Sequence, residues 1–381
     1  MRVFEVVEPG VDGVFRHVEG LIQYLLKKNV SVDLAYSSVR GSADLFKLVE
    51  LVRNHGGLAL DLAINNVPGL GDFRAYGQLL KVIHERKPDL IHGHSSKAGA
   101  LVRLLRPFVG RTPIFFTPHA YYAMGNVVRA SSGFFNLIEK LLSGIGTTIN
   151  ISQDEADFAR RVLYLSPAKQ RIIHNPVSDV FFTTQDETTR QAAREELDIP
   201  ESSTVLGTVA RLAEQKDPET LYHAFALALK NHPDLMLLHL GEGPLKEKIQ
   251  STATRLGISH RVRLLRYRDH PLTVYQAMDG LIMSSRYEAG WPISILEALA
   301  QDLPIISTTC PGCQNIAEAS LSHCWTAPVG DPERLADAIS AWVQDQPLRR
   351  PSNHRAMAME RFGTDRCYGA VLEEYRLAIS T

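Results

Sequence analysis

Cysteine is scarce: four stand in 381 residues, at positions 310, 313, 324 and 367. That is too few for a disulfide scaffold and fits a reducing compartment. No apolar run approaches the ~18 residues of a membrane span. The chain opens on a strand-like run, Arg2–Val7, and lacks the layout of a secretory leader. A cytoplasmic location is therefore expected. Neither sign of charge dominates, with 41 basic and 42 acidic residues for a net charge of −1. This excludes a bulk polyanion binder, and no nucleic-acid partner is expected. Asp-x-Asp is missing, and with it the usual carboxylate cradle for a metal-bound diphosphate. Gly10 and Gly13 loosely resemble a dinucleotide fingerprint, but their spacing is not Gly-x-Gly-x-x-Gly, so a nicotinamide site is rejected. Cys310-Pro311-Gly312-Cys313 has no second pair at zinc spacing, so no metal is expected. The two thiols read as a redox pair or, more commonly, as incidental loop cysteines. No cofactor is called for.

What is present is an alternation of short apolar runs and amphipathic segments. Strand patterns lie at Val3–Val7, Val32–Tyr36, Leu58–Ile64, Leu90–His92, Ile114–Thr117, Thr148–Ile151 and Arg171–His174. A second series runs through Val205–Val209, Met236–Leu240, Val262–Leu265, Gly280–Met283 and Pro304–Ser307. Helical patterns such as His17–Leu26, Tyr76–Arg86, Pro218–Lys230, Leu245–Leu256 and Pro332–Val343 separate them. Such alternation implies parallel sheets covered by helices, an α/β fold of two doubly wound Rossmann-like domains facing across a cleft. Residues 178–203 are polar and rich in Thr, Gln, Asp and Glu, and read as a linker. The expected division is 1–177, a linker 178–203, a second domain 204–362 and a final helix 363–381. Ligands of such sheets bind beyond the C-terminal strand ends.

The most informative stretch follows the strand that ends before Ser284 and Ser285. Glu288 and Glu297 bracket Ala-Gly-Trp-Pro-Ile-Ser-Ile-Leu, a loop that starts a helix. Loop N–H groups and the positive helix end make an anion site. Glu297, a turn inside the helix, suits a pair of sugar hydroxyls. Phosphate and ribose together describe a nucleotide-sugar. Arg211 and Lys216, beyond Val205–Val209, suit a diphosphate. The bland reading is a pair of solvated charges. Gly241-Glu242-Gly243-Pro244 would bring backbone close to a ligand, although a plain tight turn explains it better alone. Ser95, Ser96 and Lys97 open a helix after Leu90–His92 and could receive an anionic acceptor group, or be an ordinary cap beside a solvated lysine. His119, after Ile114–Thr117, could touch the transferred sugar, though a lone histidine is more often structural.

These residues resemble glycosyltransferase family 4, the retaining GT-B family, over nearly the whole chain. Arg16-His17-Val18 and the glycines before it resemble the family's first loop. His94-Ser95-Ser96-Lys97-Ala98-Gly99 and Thr117-Pro118-His119 resemble members that build exopolysaccharide and lipid-linked sugars. Asn150-Ile151-Ser152-Gln153 and Ile173-His174-Asn175-Pro176 resemble the end of the first domain, and the glutamate loop is the most specific match. The resemblance implies that Arg211 and Lys216 hold the donor diphosphate and that Glu297 binds ribose. It sets Glu288 near the donor sugar, with backbone groups of Gly290, Trp291, Pro292 and Ile293. It also implies that Gly13 lets the first loop approach the diphosphate, Gly241 lines the donor site and Tyr267 meets the base. His119 would border the sugar, and His17 with Ser95, Ser96 and Lys97 would face the acceptor. Three departures stand out: the family's glutamates usually have one residue fewer between them, Arg266 replaces a common glycine, and Pro176 replaces another.

The function expected is retaining, metal-independent transfer from a nucleotide-diphosphate-sugar, UDP-sugar favoured, to a glycan or lipid-linked acceptor in cell-envelope or exopolysaccharide assembly. The alternatives are a nucleotide-sugar epimerase or hydrolase of the same fold, and a non-catalytic sugar-nucleotide-binding subunit. Arg103–Phe108 and Phe134–Leu137 combine basic and bulky apolar residues, which suits peripheral contact with an anionic membrane or, more commonly, a core-facing helix stripe.

Overall fold

A computed structural model describes residues 1–10, 12–65, 68–121, 124, 130–266, 271–313, 322–345 and 353–380. The chain divides into two compact units, Met1–Pro176 with Thr364–Thr381, and Val177–Gly363.

Unit 1 is a seven-stranded parallel sheet of β1 (Arg2–Val7), β2 (Ser31–Tyr36), β3 (Ala59–Asp61), β4 (Leu90–His94), β5 (Ile114–Thr117), β6 (Thr147–Asn150) and β7 (Gln170–Ile172). The spatial order is β3-β2-β1-β4-β5-β6-β7, so the order reverses between β1 and β4. The connecting helices are α1 (Asp12–Lys27), α2 (Ala43–Asn54), α3 (Gly71–Arg86), α4 (Ser95–Leu104), α5 (Ala130–Leu142) and α6 (Gln153–Val162). Parallel strands covered on both faces are near-continuously apolar. β1 follows this rule with Val3, Phe4, Val6 and Val7 buried, yet Glu5 among them is fully buried too. Phe15, Val18, Leu21, Ile22 and Leu25 of α1 are buried at helical spacing.

Unit 2 repeats the plan with β8 (Thr204–Val209), β9 (Leu235–Leu240), β10 (Val262–Leu265), β11 (Gly280–Met283), β12 (Ile305–Thr308) and β13 (Cys324–Ala327). They lie in the order β10-β9-β8-β11-β12-β13, all parallel. Its helices are α7 (Glu187–Glu196), α8 (Pro218–Leu229), α9 (Lys246–Arg255), α10 (Leu272–Ala277), α11 (Ile293–Ala300), α12 (Pro332–Gln344) and α13 (His354–Phe362). The last helix, α14 (Thr364–Ser380), belongs to unit 1, where Tyr368, Val371, Leu372 and Tyr375 enter the core beside α1 and β1.

Two expectations need correction. Residues 178–203 are not a linker but part of unit 2. Their polar residues are the outer face of α7, capped by Asp186, which accepts from the Thr189 amide at 2.7 Å. Its inner face buries Ala193 and Arg194, and the Arg194 guanidinium donates to Asp279 at 2.6 Å. The other correction is β13, unforeseen because an edge strand with half-exposed residues carries a weak apolar signal.

Candidate active site

In unit 2 the polar cluster forms beyond the C-terminal ends of β8 and β11, neighbours where the strand order reverses. Gly241 has φ 158°, and a Cβ there would lie 1.9 Å from the Ala210 carbonyl oxygen. The loop after β9 therefore presses onto the loop after β8, where the Leu212 amide donates to the Glu242 carbonyl at 2.9 Å. The structure shows Gly241 serving this backbone packing.

The loop after β8 is also stitched to the loop after β11. Ser284 Oγ donates to the carbonyls of Lys216 and Asp217 at 2.8 and 3.0 Å. The Arg286 amide donates to the Gln215 carbonyl at 2.8 Å, and Gln215 Nε2 to the Tyr287 carbonyl at 3.1 Å. These bonds bring Lys216 Nζ within 2.5 Å of Glu288 Oε1, which also accepts from Ser285 Oγ at 2.6 Å. Arg211 is exposed, with Nη2 3.5 Å from Gln215 Oε1. Arg211 and Lys216 of one loop and Glu288 of the other, 72 residues beyond Lys216, thus share one bonded pair of loops.

The free thiols of Cys310 and Cys313 share a hydrogen bond, which holds Cys310 below and Cys313 well above the ordinary range. Their turn braces the glutamate, since the Glu288 amide donates to the Pro311 carbonyl at 2.8 Å. Gly312, at φ 86°, leaves no room for a Cβ beside the Glu288 carbonyl.

Beyond Glu288, Gly290 has a φ of 151°. Trp291 is buried, and its ring packs 5.3 Å from Phe362. Pro292 precedes α11 without a side-chain cap, and Ile293 is the first helical residue. The first-turn N–H groups thus receive no acceptor from a capping side chain. Glu297 is 1% exposed, and Oε2 accepts from Tyr275 of α10 at 2.6 Å. Tyr275 was not singled out in the sequence, where it is one more aromatic in an apolar segment. Tyr267 lies outside the described residues.

In unit 1 the histidines converge. His92 and His94 close β4, and β1 pairs Glu5 with His92 and Val7 with His94. His94 Nε2 donates to Glu5 Oε2 at 2.8 Å, and His94 Nδ1 lies 3.2 Å from His119 Nε2. Glu5 Oε1 accepts from Tyr375 of α14 at 3.1 Å. The Tyr375 oxygen lies 2.5 Å from His92 Nδ1, and His92 Nε2 lies 2.9 Å from Thr117 Oγ1. His17 of α1 stands edge-on to His119, ring centroids 4.7 Å apart. Burial, then His94, pulls His17 down to about 3, while the Asn175 side chain opposes. Burial first, then the neighbouring histidines, holds His92 and His119 well below the ordinary histidine value. These imidazoles are neutral at pH 7.

Nitrogens of His17, His94 and His119 lie within 4.8 Å of one another, as do ligand atoms of Glu5, His92 and His94. Such groups suit a metal, but His94 uses both ring nitrogens in hydrogen bonds.

His119 and Ala120 have φ of 52° and 85°, two consecutive non-glycine residues in the left-handed region. Such conformers cost ~1–3 kcal/mol each and persist where the surroundings hold them. The buried carboxyl group of Glu155 does so, accepting from the Ala120 amide at 2.5 Å and the Ile151 amide at 2.7 Å.

Other expected positions fall differently. Gly13 lies in the first turn of α1, not in a loop. Ser95 is not a cap; it is the first residue of α4, at φ 76°, and its buried Oγ has no hydrogen bond among the described residues. Ser96 follows, half-buried. Lys97 is not a free cation, because its Nζ pairs with Asp72 at 2.7 Å and reaches the Asn65 carbonyl. Arg103 does not join a basic surface. It is buried, paired with Glu139 at 2.8 Å and stacked 3.9 Å over Phe116.

Two parallel-sheet units of this strand order, each with polar groups beyond its strand ends, define a protein of the GT-B class. Residues 11–180 match the family model "Glycosyltransferase Family 4", and residues 189–358 match "Glycosyl transferases group 1". The chain belongs to the glycosyltransferases that these two models describe. It is 25% identical over 252 residues to the UDP-Gal:alpha-D-GlcNAc-diphosphoundecaprenol alpha-1,3-galactosyltransferase of Escherichia coli, covering 65% of this chain and 64% of that one. It is 28% identical over 281 residues to the D-inositol 3-phosphate glycosyltransferase of Corynebacterium urealyticum, covering 70% and 66%. The match thus spans just under two thirds of either relative. Among solved structures, Anabaena Alr3699/HepE in complex with UDP-glucose superposes with a TM-score of 0.81 at 18% identity, over 98% of this chain and 99% of that one. At that identity the likeness shows the fold.

Proposed function

We propose that the protein transfers a sugar from a nucleotide-diphosphate-sugar, UDP-sugar favoured, to a glycan or lipid-linked acceptor, with retention and without a metal. The observation that carries this reading is the Lys216–Glu288–Ser285 cluster beyond β8 and β11, beside the uncapped start of α11. Cleaving the anomeric C–O bond puts negative charge on the leaving diphosphate. Lys216, Arg211 and the α11 N–H groups are the groups that stabilise such charge. Glu288 holds the lysine at the strand ends before the donor arrives. Glu297, oriented by Tyr275, takes the ribose hydroxyls. The leaving phosphate accepts the acceptor's proton, so no carboxylate pair on opposite faces of the sugar is required. The relatives' printed activities, on a lipid diphosphate-linked sugar and on an inositol phosphate, support an acceptor of the glycan or lipid-linked kind.

The test is turnover of a UDP-sugar panel by the purified protein. Lys216→Ala should lower kcat roughly 10²–10³-fold, as loss of one charge-stabilising donor does. Full activity in that variant, or release of free sugar at the same rate without any acceptor, would defeat the reading.

Peripheral membrane contact is proposed at the surface around Leu70, Phe73, Leu104 and Phe108, which are 87%, 79%, 50% and 53% exposed. Tyr76, one turn from Phe73, packs edge-on to Phe108 at 6.4 Å and ties these helices together. The Phe134 side chain lies outside the described residues, and Leu137 is 55% exposed. Flotation with anionic liposomes tests it; recovery only in the soluble fraction would refute it.

A further inference from the structure

Glu5 interrupts the apolar run of β1, and its carboxylate is fully buried. It carries a hydrogen-bond chain whose direction it sets. A carboxylate only accepts, so His94 Nε2 must carry the proton shared with Glu5 Oε2. With one proton on the ring, His94 then has a lone pair on Nδ1. His119 Nε2, 3.2 Å away, must supply the proton to that contact. His119 is left with its lone pair on Nδ1, where among the described residues no hydrogen bond is made. On the other branch Tyr375 donates to Glu5 Oε1, its oxygen faces His92 Nδ1, and Thr117 faces His92 Nε2. His17 packs edge-on to His119, and Glu155 holds the amide of Ala120 next to it. One buried carboxylate therefore polarises both branches.

We propose that Glu5 and His94 are positioning residues that fix the tautomer of His119, so that it presents Nδ1 as a hydrogen-bond acceptor for a substrate hydroxyl. The chemical consequence is selectivity. An acceptor-only imidazole favours a hydroxyl-bearing sugar and disfavours one lacking that hydroxyl, because a polar group left unpaired costs far more than a bond gains. The part concerning substrate rests on the transferase reading above; the tautomer does not.

The experiment is 15N NMR of the full chain with labelled histidine, without ligand. His119 should carry its proton on Nε2. Glu5→Met removes the acceptor, so His94 should move its proton to Nδ1 and His119 should flip to the Nδ1–H form. Glu5→Gln keeps an acceptor oxygen and should retain the wild-type tautomer. Turnover of UDP-glucose or UDP-galactose should fall roughly 10–10²-fold in Glu5→Met, the range seen for partners that orient a ligating imidazole. It should recover largely in Glu5→Gln, with UDP affinity unchanged in both. An Nδ1–H His119 in the wild type would overturn the proposal even if no variant folds. So would an unchanged tautomer in Glu5→Met, or a stoichiometric zinc ion retained on gel filtration and lost in His17→Ala. Failure of wild-type protein to bind UDP would instead sink the transferase reading and leave the tautomer result standing.

Discussion

Glu155 is a buried acid of unit 1 whose titration should be felt between pH 4.5 and 8. Its carboxyl is fully buried, and burial raises it from 4.5 to about 8, against the pull of the Ile151 and Ala120 amides. In the unfolded chain it ionises near its ordinary value, so between pH 4.5 and 8 the folded state binds the extra proton. The stability Glu155 contributes is then complete below pH 4.5 and is lost as pH rises toward 8, at ~1.4 kcal/mol per unit. By pH 7 the loss is about 3 kcal/mol, and it levels off above 8. Glu155→Gln removes the titration but leaves one oxygen for two amide donors, which costs about 1–3 kcal/mol at every pH. The two stability curves should cross: wild type more stable at pH 5, the variant equal or better at pH 9. Urea unfolding followed by circular dichroism from pH 5 to 9 measures this. Amide exchange at Ala120 and Ile151, corrected for intrinsic rates, localises it. The buried histidines, held below their ordinary value, add the opposite slope to both proteins, so the difference between the two curves is the test, and parallel curves would refute the reasoning.

Other outcomes follow from the same contacts. Gly241→Ala sets a Cβ against the Ala210 carbonyl, so it should destabilise unit 2 and displace Arg211, seen as weaker UDP binding. Trp291→Ala should cost about 3–5 kcal/mol through the cavity against Phe362, read by denaturant midpoint. Tyr275→Phe removes the donor to Glu297 and should weaken binding of UDP more than binding of inorganic pyrophosphate, measured by calorimetry.

Much of the architecture was legible because its signals are local. Strand-like runs such as Val205–Val209 and the helix start after Pro292 are set by neighbouring residues. The polar stretch 178–203 misled because an amphipathic helix with one buried arginine has the composition of a linker. Arg211, Lys216 and Glu288 could be named from their places beyond strand ends. That Glu288 grips Lys216 depends on a contact across 72 residues, which no local pattern encodes. The histidine chain was missed for the same reason, since Glu5 and Tyr375 stand 370 residues apart. Two clues existed: a glutamate inside Val-Phe-Glu-Val-Val, and the alternation Ile-His-Gly-His, which sets two imidazoles on one face of a strand. Lys97 looked like a free cation only because Asp72 is distant in sequence.

The donor site is tested most directly by titrating the protein with UDP and with uridine in a calorimeter. Each charge-assisted contact to phosphate is worth about 1.5–3 kcal/mol, so UDP should bind at least ~10-fold more tightly than uridine, and Lys216→Ala should erase most of that difference. Equal affinity for UDP and uridine in the wild type would contradict the account.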